Sequence, residues 1–247
     1  MMRKHILTAI QQHAEKEYPL ECCGLVVKDG RRQRYIPCAN TVPPNDYVKL
    51  GPEYNFAICP HEYAAAEDIG EILFIVHSHP NETSRPSPLD EALCEESGLP
   101  WVIISWPEGD VRIIAPTGDV PIIGRHFVHG VWDCYGLIRD WYKQERGIEL
   151  PNFKRTDEWW LRGENLYRLH YEEAGFIAHK TPLQIGDVIL MQYQAPEDNH
   201  AGIYVGDGLM LHHLYGQTSR LVPYGGVWQE RTTLTLRHKS EIEHSND

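Results

Sequence analysis

Hydrophobic and polar positions along the first half of the chain predict a mixture of helices and strands. Apolar residues recur at helical spacing over residues 3–17, and Pro19 is expected to end that helix. Helices are also predicted at 60–69 and 88–97. Short apolar runs bounded by turn-forming residues predict strands at 22–27, 34–36, 46–50, 72–76, 101–105 and 111–115.

The second half begins after a turn-rich stretch at residues 116–121, where a domain boundary is predicted. From Tyr135 onward the apolar spacing becomes helical, so Cys134 opens a predicted helix and Asp133 can cap it. The positive end of the helix dipole favours a thiolate at that position, although a cysteine at a helix start is often structural.

A predicted hairpin at residues 200–212 supplies histidines that could act as the base for Cys134. A two-residue turn would put His213 on the face of His200. A three-residue turn pairs Gly202 with His212, and this register leaves an apolar stripe on the opposite face. The second register is favoured, and it gives the order of a nucleophile, a base and an orienting residue: Cys134, His200 and His212.

The stretch after strand 72–76 carries a different chemistry. His77 and His79 are two residues apart, so they point to the same side of an extended segment. Asp90 lies in the first turn of helix 88–97, with Ser87 as the predicted N-cap. Two imidazoles, one carboxylate and a water would form an open zinc site. Two surface histidines at a strand end are the alternative for so short a motif.

The pattern HxHPx6SxxD, together with the segment Tyr18–Val26, resembles the JAMM (MPN-plus) metallopeptidases over about residues 1–115. That resemblance implies that His77, His79 and Asp90 bind zinc. It also implies that Glu21 is a general base and that Ser87 assists the tetrahedral intermediate.

Three further motifs resemble the NlpC-type cysteine peptidases: Asp133–Ile138, Leu183–Val188 and His200–Gly206 with His212. The resemblance covers about residues 122–236 and implies a papain-like fold that cuts γ-D-glutamyl bonds of peptidoglycan stem peptides. Tyr135 departs from the serine that follows the cysteine in most members. The aromatic-rich segment 149–180 could line a groove or fill the core.

The order of the two domains resembles the tail-tip assembly proteins of lambda-like bacteriophages. The expected fold is α+β, with a JAMM-like mixed sheet flanked by helices at 1–115 and a papain-like NlpC domain at 122–238. Stem peptides and other tail-tip proteins are the implied partners, in the host cytoplasm during assembly or at the virion tail tip. A tail scaffold with inactive sites and a cellular JAMM isopeptidase are the alternatives.

Composition narrows these functions further. The net charge of −12 argues against a general nucleic-acid binder. No apolar run reaches the roughly 18 residues of a membrane span, and the first residues lack the apolar region of a signal peptide. Six cysteines without a CxxC motif predict neither a disulfide scaffold nor a zinc ribbon, so most are expected to be buried thiols.

Overall fold

The computed structural model describes residues 2–42, 56–155 and 158–243. Contacts divide the chain into two compact units, residues 1–119 and 120–247. The strand predicted at 46–50 lies outside the described residues. Within the described ranges, no helix is both long enough and apolar enough to cross a bilayer.

In its described residues, the first unit is a five-stranded mixed sheet with helices on both faces. The strand order is β2-β1-β3-β4-β5, in which β3 and β4 are parallel and the other neighbours are antiparallel. Its elements are α1 (Lys4–Glu17), β1 (Cys23–Asp29), β2 (Arg32–Cys38), α2 (Pro60–Ile69), β3 (Ile72–Pro80), α3 (Pro88–Ser97), β4 (Trp101–Trp106) and β5 (Val111–Ile114). The helices and strands predicted in the described part of this unit are therefore confirmed to within a few residues.

Side chains along each strand point alternately to the two faces of this sheet. Ile6 and Ile10 of α1 pack against Val76 on one face. Ile75 belongs to a separate cluster that contains residues of α2 and α3. Because His77 and His79 have the parity of Ile75, they lie on the face that α3 covers. This alternation brings the histidines to the helix that carries Asp90.

The second unit is a six-stranded sheet in which each described strand pair is antiparallel. The strand order is β10-β9-β8-β7-β11-β6. Its elements are α4 (Cys134–Arg146), a short 3-10 helix (Trp159–Arg162), α5 (Leu166–His170), β6 (Phe176–His179), β7 (Val188–Met191), β8 (His200–Gly206), β9 (Leu209–His212), β10 (Arg220–Pro223), α6 (Val227–Arg231), β11 (Thr232–His238) and α7 (Ser240–Glu243).

Helix α4 packs its apolar side on this sheet. Leu137, Ile138 and Tyr142 are almost fully buried and share one core with strand residues such as Leu190 and Ile203. The helix ends at Gly147, whose φ of 65° provides the left-handed cap that favours glycine. The predicted amphipathic helix and its cysteine start are therefore confirmed.

The β8–β9 hairpin has the favoured register but a different turn. Gly202 pairs with His212, as predicted. The turn itself has two residues, Asp207 and Gly208, both with positive φ as a type I′ turn requires. A bulge between Tyr204 and Gly206 takes up the odd residue, so the predicted three-residue turn was wrong while its register was right.

Candidate active sites

Three potential metal ligands converge beside the end of β3. Nε2 of His77 lies 3.0 Å from Nε2 of His79 and 3.2 Å from Oδ1 of Asp90. Nε2 of His79 lies 3.4 Å from Oδ2 of Asp90. All three side chains are buried, and among the described residues they form the group with metal-ligand geometry. The structure thus brings together the three residues that the HxHPx6SxxD pattern singles out.

The donor set fits a tetrahedral metal ion. Ligand atoms bound to zinc at about 2.0–2.1 Å are separated from one another by about 3.3 Å, which is close to the spacings found here. Nδ1 of His79 donates to the carbonyl oxygen of Thr83 at 2.9 Å. That bond leaves the lone pair of His79 on Nε2, the atom that faces the other two ligands.

Asp90 is held by the start of its own helix. The Ser87 amide donates to Oδ2 of Asp90 at 2.7 Å, and the Asp90 amide donates to Oγ of Ser87 at 3.1 Å, which is a reciprocal capping box. Burial alone would raise the pKa of Asp90, but hydrogen bonds from His77 and His79 hold it well below its usual range. The N-cap predicted at Ser87 is confirmed, and its hydroxyl is engaged in this cap.

Glu21 is buried two residues before β1, the strand that pairs with β3. The next amide, that of Cys22, donates to Oγ of Ser78 at 2.8 Å, which ties this segment to the residue between the two histidines. Burial lowers the pKa of His79, yet its bond to Asp90, the Thr83 carbonyl and the charges of Asp90 and Glu21 raise it above its ordinary value. Glu21 therefore acts electrostatically on this site.

Cys134 is the first residue of α4, and Asp133 caps the helix. Oδ1 of Asp133 accepts from the Gly136 amide at 2.7 Å. The same carboxylate pairs with the buried guanidinium of Arg155, whose Nε lies 2.7 Å from Oδ2. One carboxylate thus fixes both the start of the helix and the segment around Arg155.

The protonation of Cys134 differs from the thiolate that its helix position predicts. Burial, followed by the negative charge of Asp133, raises the pKa of Cys134 to about 11. Burial and the neighbouring rings of His212 and His213 lower the pKa of His200 to about 3. The resting pair near neutral pH is therefore a thiol and a neutral imidazole, because desolvation penalises both charged forms.

The two hairpin histidines are bonded to each other. Nε2 of His200 lies 3.0 Å from Nδ1 of His212, and both rings are buried. The ring of Trp228 covers this pair, with its centroid 4.7 Å from that of His212. The predicted base and its predicted orienting residue are thus in contact, on the face that the hairpin register requires.

Cys134 and His200 open into one cleft of about 490 Å³. Many of its lining residues belong to the aromatic-rich segment, so that segment contributes both to the core and to the groove: Phe153, Trp159, Trp160, Tyr167, Tyr171 and Phe176. Tyr135 turns inward, and its hydroxyl donates to the Pro151 carbonyl at 2.8 Å. The departure from serine therefore anchors the beginning of this segment beside Cys134.

Comparison with known proteins matches both units. The NlpC/P60 family model matches residues 124–237, and the model of prokaryotic homologues of the JAB domain matches residues 3–115. The chain is 46% identical over 240 residues to the tail tip assembly protein K of Escherichia phage N15, covering 96% of each protein. The chain belongs to the tail tip assembly protein K family.

Two further relatives match a larger and a smaller part of the chain. The tail tip assembly protein K of Escherichia phage lambda is 41% identical over 185 residues, which cover 73% of this chain and 89% of that protein. A probable endopeptidase of Mycobacterium tuberculosis is 36% identical over 95 residues, which cover 38% of this chain and 20% of that protein. The matched families and this relative support a peptidase-type hydrolase.

The sequence analysis did not identify some of the residues that lie around Cys134. The hydroxyl of Tyr167 lies 3.1 Å from Sγ of Cys134. Arg155 binds Asp133. His213, the alternative that a two-residue turn offered, also lines the cleft. The aromatic-rich segment pointed to Tyr167 only as one of many rings, and nothing in the local sequence marks Arg155 as the partner of Asp133.

Proposed function

We propose that this protein is a tail-tip assembly factor whose second unit is a cysteine endopeptidase acting on peptidoglycan stem peptides. The observation that carries the proposal is the arrangement around Cys134. The thiol stands at the N-terminus of α4, in a cleft that it shares with His200, and the ring of His200 is held by His212 at 3.0 Å. A nucleophile, a base and an orienting group in this order constitute a peptidase triad.

The hydrogen bond between the histidines determines which nitrogen of His200 carries a proton at rest. When Nε2–H of His200 donates to Nδ1 of His212, the lone pair of His200 is on Nδ1. Since the resting thiol and imidazole are both neutral, His200 acts as a general base during attack and does not need a preformed ion pair.

The reaction then proceeds in two steps, which are acylation of Cys134 and hydrolysis of the thioester. As Sγ of Cys134 bonds to the substrate carbonyl carbon, the thiol proton moves to Nδ1 of His200. The imidazolium passes that proton to the leaving amine while the C–N bond breaks and a thioester remains. Water attacks the thioester, His200 accepts the water proton, and its return to sulfur releases the acid. The His200–His212 bond becomes charge-assisted while His200 is protonated, which stabilises that state.

The cleft supports a peptide substrate. Its walls are rich in aromatic rings and also carry a smaller number of polar side chains, among them Asp133, Arg155 and Asn199, which is the usual make-up of a binding cleft. The relative from Mycobacterium tuberculosis bears the name of an endopeptidase. We assign the γ-D-glutamyl bond of the stem peptide as the bond cut, as the resemblance to NlpC-type enzymes implies.

The first unit is proposed to be a zinc peptidase or isopeptidase. His77, His79 and Asp90 would hold the ion, which supplies Lewis acidity and activates a water when it is bound. The buried carboxylate of Glu21 would accept and return the proton of the attacking water. Ser87 would both cap α3 and assist the tetrahedral intermediate.

In this proposal the protein works with other tail-tip proteins in the host cytoplasm during assembly, or at the tail tip of the virion. Membership in the tail tip assembly protein K family supports that setting. A wall hydrolase in a tail tip would open the peptidoglycan that the tail must cross.

Digestion of purified peptidoglycan tests the proposal. The wild type and His77→Ala are expected to release stem-peptide fragments, whereas Cys134→Ala is not. Cys94→Ala removes a buried thiol from α3 of the first unit and is the control. Mass spectrometry of the fragments identifies the bond. Equal release by wild type and Cys134→Ala, or loss of release only in His77→Ala, would contradict the assignment.

A further inference from the structure

The helix α5 places a side chain directly on the nucleophile. The hydroxyl of Tyr167 lies 3.1 Å from Sγ of Cys134. The helix has five residues, none of which is fully buried, and Leu169 is 70% exposed. A helix this short has little stability of its own, so contacts outside it must hold it over the thiol.

Those contacts come from the segment that precedes His200. Nε of Arg168 donates to Oδ2 of Asp198 at 2.5 Å. Nδ2 of Asn165, the N-cap residue of α5, donates to Oε2 of Glu197 at 2.8 Å. Residues on both sides of Tyr167 are therefore bonded to neighbouring carboxylates just ahead of the base-bearing strand β8.

Asp198 is a firm anchor for this connection. It is 1% exposed, and its second oxygen, Oδ1, accepts from the hydroxyl of Thr233 on β11. A buried carboxylate is costly unless it is paired and hydrogen-bonded. The proposed triad does not include Asp198. The role of Asp198 is therefore inferred from the residues that it contacts.

We propose that Asp198 is a positioning residue that acts on Cys134 through Arg168. Its carboxylate fixes α5 to the sheet and thereby keeps the Tyr167 hydroxyl on the thiol. The Asp198 carboxylate thus holds α5, which carries Tyr167, in a fixed position relative to the start of β8, which carries His200. Without the ion pair, α5 separates from the cleft and the half-buried thiol becomes more accessible.

Alkylation of Cys134 by iodoacetamide, followed by peptide mapping, measures this directly and needs no peptidase substrate. Failure of wall cleavage would therefore leave this test intact. A charge-assisted hydrogen bond contributes enough that its loss corresponds to an acceleration of about tenfold or more. That acceleration is expected in both Asp198→Asn and Arg168→Gln, whereas Arg168→Lys, which retains the positive charge, should react at a rate nearer to that of wild type.

The matched control is Glu164→Gln. It breaks the exposed ion pair between Arg162 and Glu164, 3.3 Å long, on the segment just before α5. This variant should alkylate at the wild-type rate, because its contact does not involve α5. An equal acceleration in Glu164→Gln would overturn the proposal.

A urea series separates a local opening from a general loss of stability. Opening of α5 exposes little surface, so the alkylation rates of Asp198→Asn and Arg168→Gln should depend weakly on urea below the unfolding transition. The double variant should react no faster than the faster single variant, because both remove one contact. Wild-type rates in both single variants, or a steep urea dependence that follows global unfolding, would refute the role assigned to Asp198.

Discussion

Nε2 of His200 and Nδ1 of His212 lie 3.0 Å apart, and that contact leaves the other nitrogen of the His200 ring as the one that can take a proton from Cys134. The two histidines therefore have unequal roles. In the proposed mechanism His200 exchanges the proton, and His212 holds its ring and stabilises its charge.

Replacement of the two histidines should consequently have different effects. Removal of a general base costs roughly 10²–10⁴ in rate, so His200→Ala should lose nearly all cleavage of peptidoglycan. His212→Asn keeps a side-chain group that can accept a hydrogen bond, so its loss should be at least about tenfold smaller. Initial rates on purified peptidoglycan measure both. Equal losses would show that His212 also takes part in proton transfer.

The reactivity of Cys134 should rise with pH well above neutrality. Because burial raises its pKa to about 11, the thiolate fraction is small at pH 7 and grows toward that value. The iodoacetamide rate at Cys134 should therefore increase without a plateau between pH 6 and 9, as measured by peptide mapping of the folded protein. A rate that rises with a midpoint near pH 7 and then levels off would instead reveal a stabilised thiolate.

The buried histidines should make the second unit less stable in mild acid. Burial is the first cause that lowers the pKa of His200 to about 3, and of His212 and His213 to about 4. Between these values and the ordinary value of 6.5, the unfolded chain binds protons that the folded chain does not. The free energy of unfolding should therefore fall as the pH drops below about 6.5.

Urea unfolding at pH 7.5, 6 and 4.5 measures that fall. His213→Asn should show a shallower dependence, since it removes one of the three groups. An identical slope in the variant would mean that the pKa of His213 is the same in the folded and the unfolded chain.

Zinc binding should depend on the three converging side chains and not on Glu21. His79→Ala removes one ligand and should lose most of the metal, whereas Glu21→Ala should retain a near-stoichiometric amount. Elemental analysis of dialysed protein gives both values. A metal-free Glu21→Ala protein would make that carboxylate a ligand.

The capping box of α3 should support metal binding. Ser87→Ala removes the acceptor of the Asp90 amide and should cost about 1 kcal/mol of stability. Loss of an outer contact to a ligand typically weakens metal binding by about 10–100-fold. Glu95→Ala, which removes two bonds from Thr117 to a later turn of α3, is the control. Competition with a chelator measures the affinities, and equal values for both variants would reject the coupling.

The sequence was most informative where a function depends on local spacing. Parity along β3 put His77 and His79 on one side, and a Ser-Pro pair predicted the start of α3. The hairpin register could be chosen because only one pairing kept the apolar stripe together. In each case the determining residues are close in the chain.

What could not be predicted depends on residues that are distant in the chain or on burial. Nothing near Asp133 indicates that Arg155 will pair with it, or that Tyr167 will reach Cys134. The pKa of Cys134 shows the second difficulty. A helix N-terminus favours the thiolate, but the desolvation that outweighs it is a property of the assembled cleft.

The two reciprocal bonds between Ser87 and Asp90 make the third zinc ligand of the proposed site a portable unit. Its carboxylate is anchored within four consecutive residues, Ser87–Asp90, before it meets His77 and His79 of β3. A protein engineer could graft this helix start behind a His-x-His strand of another scaffold with its ligand already aimed. The later turns of α3 would remain free for redesign.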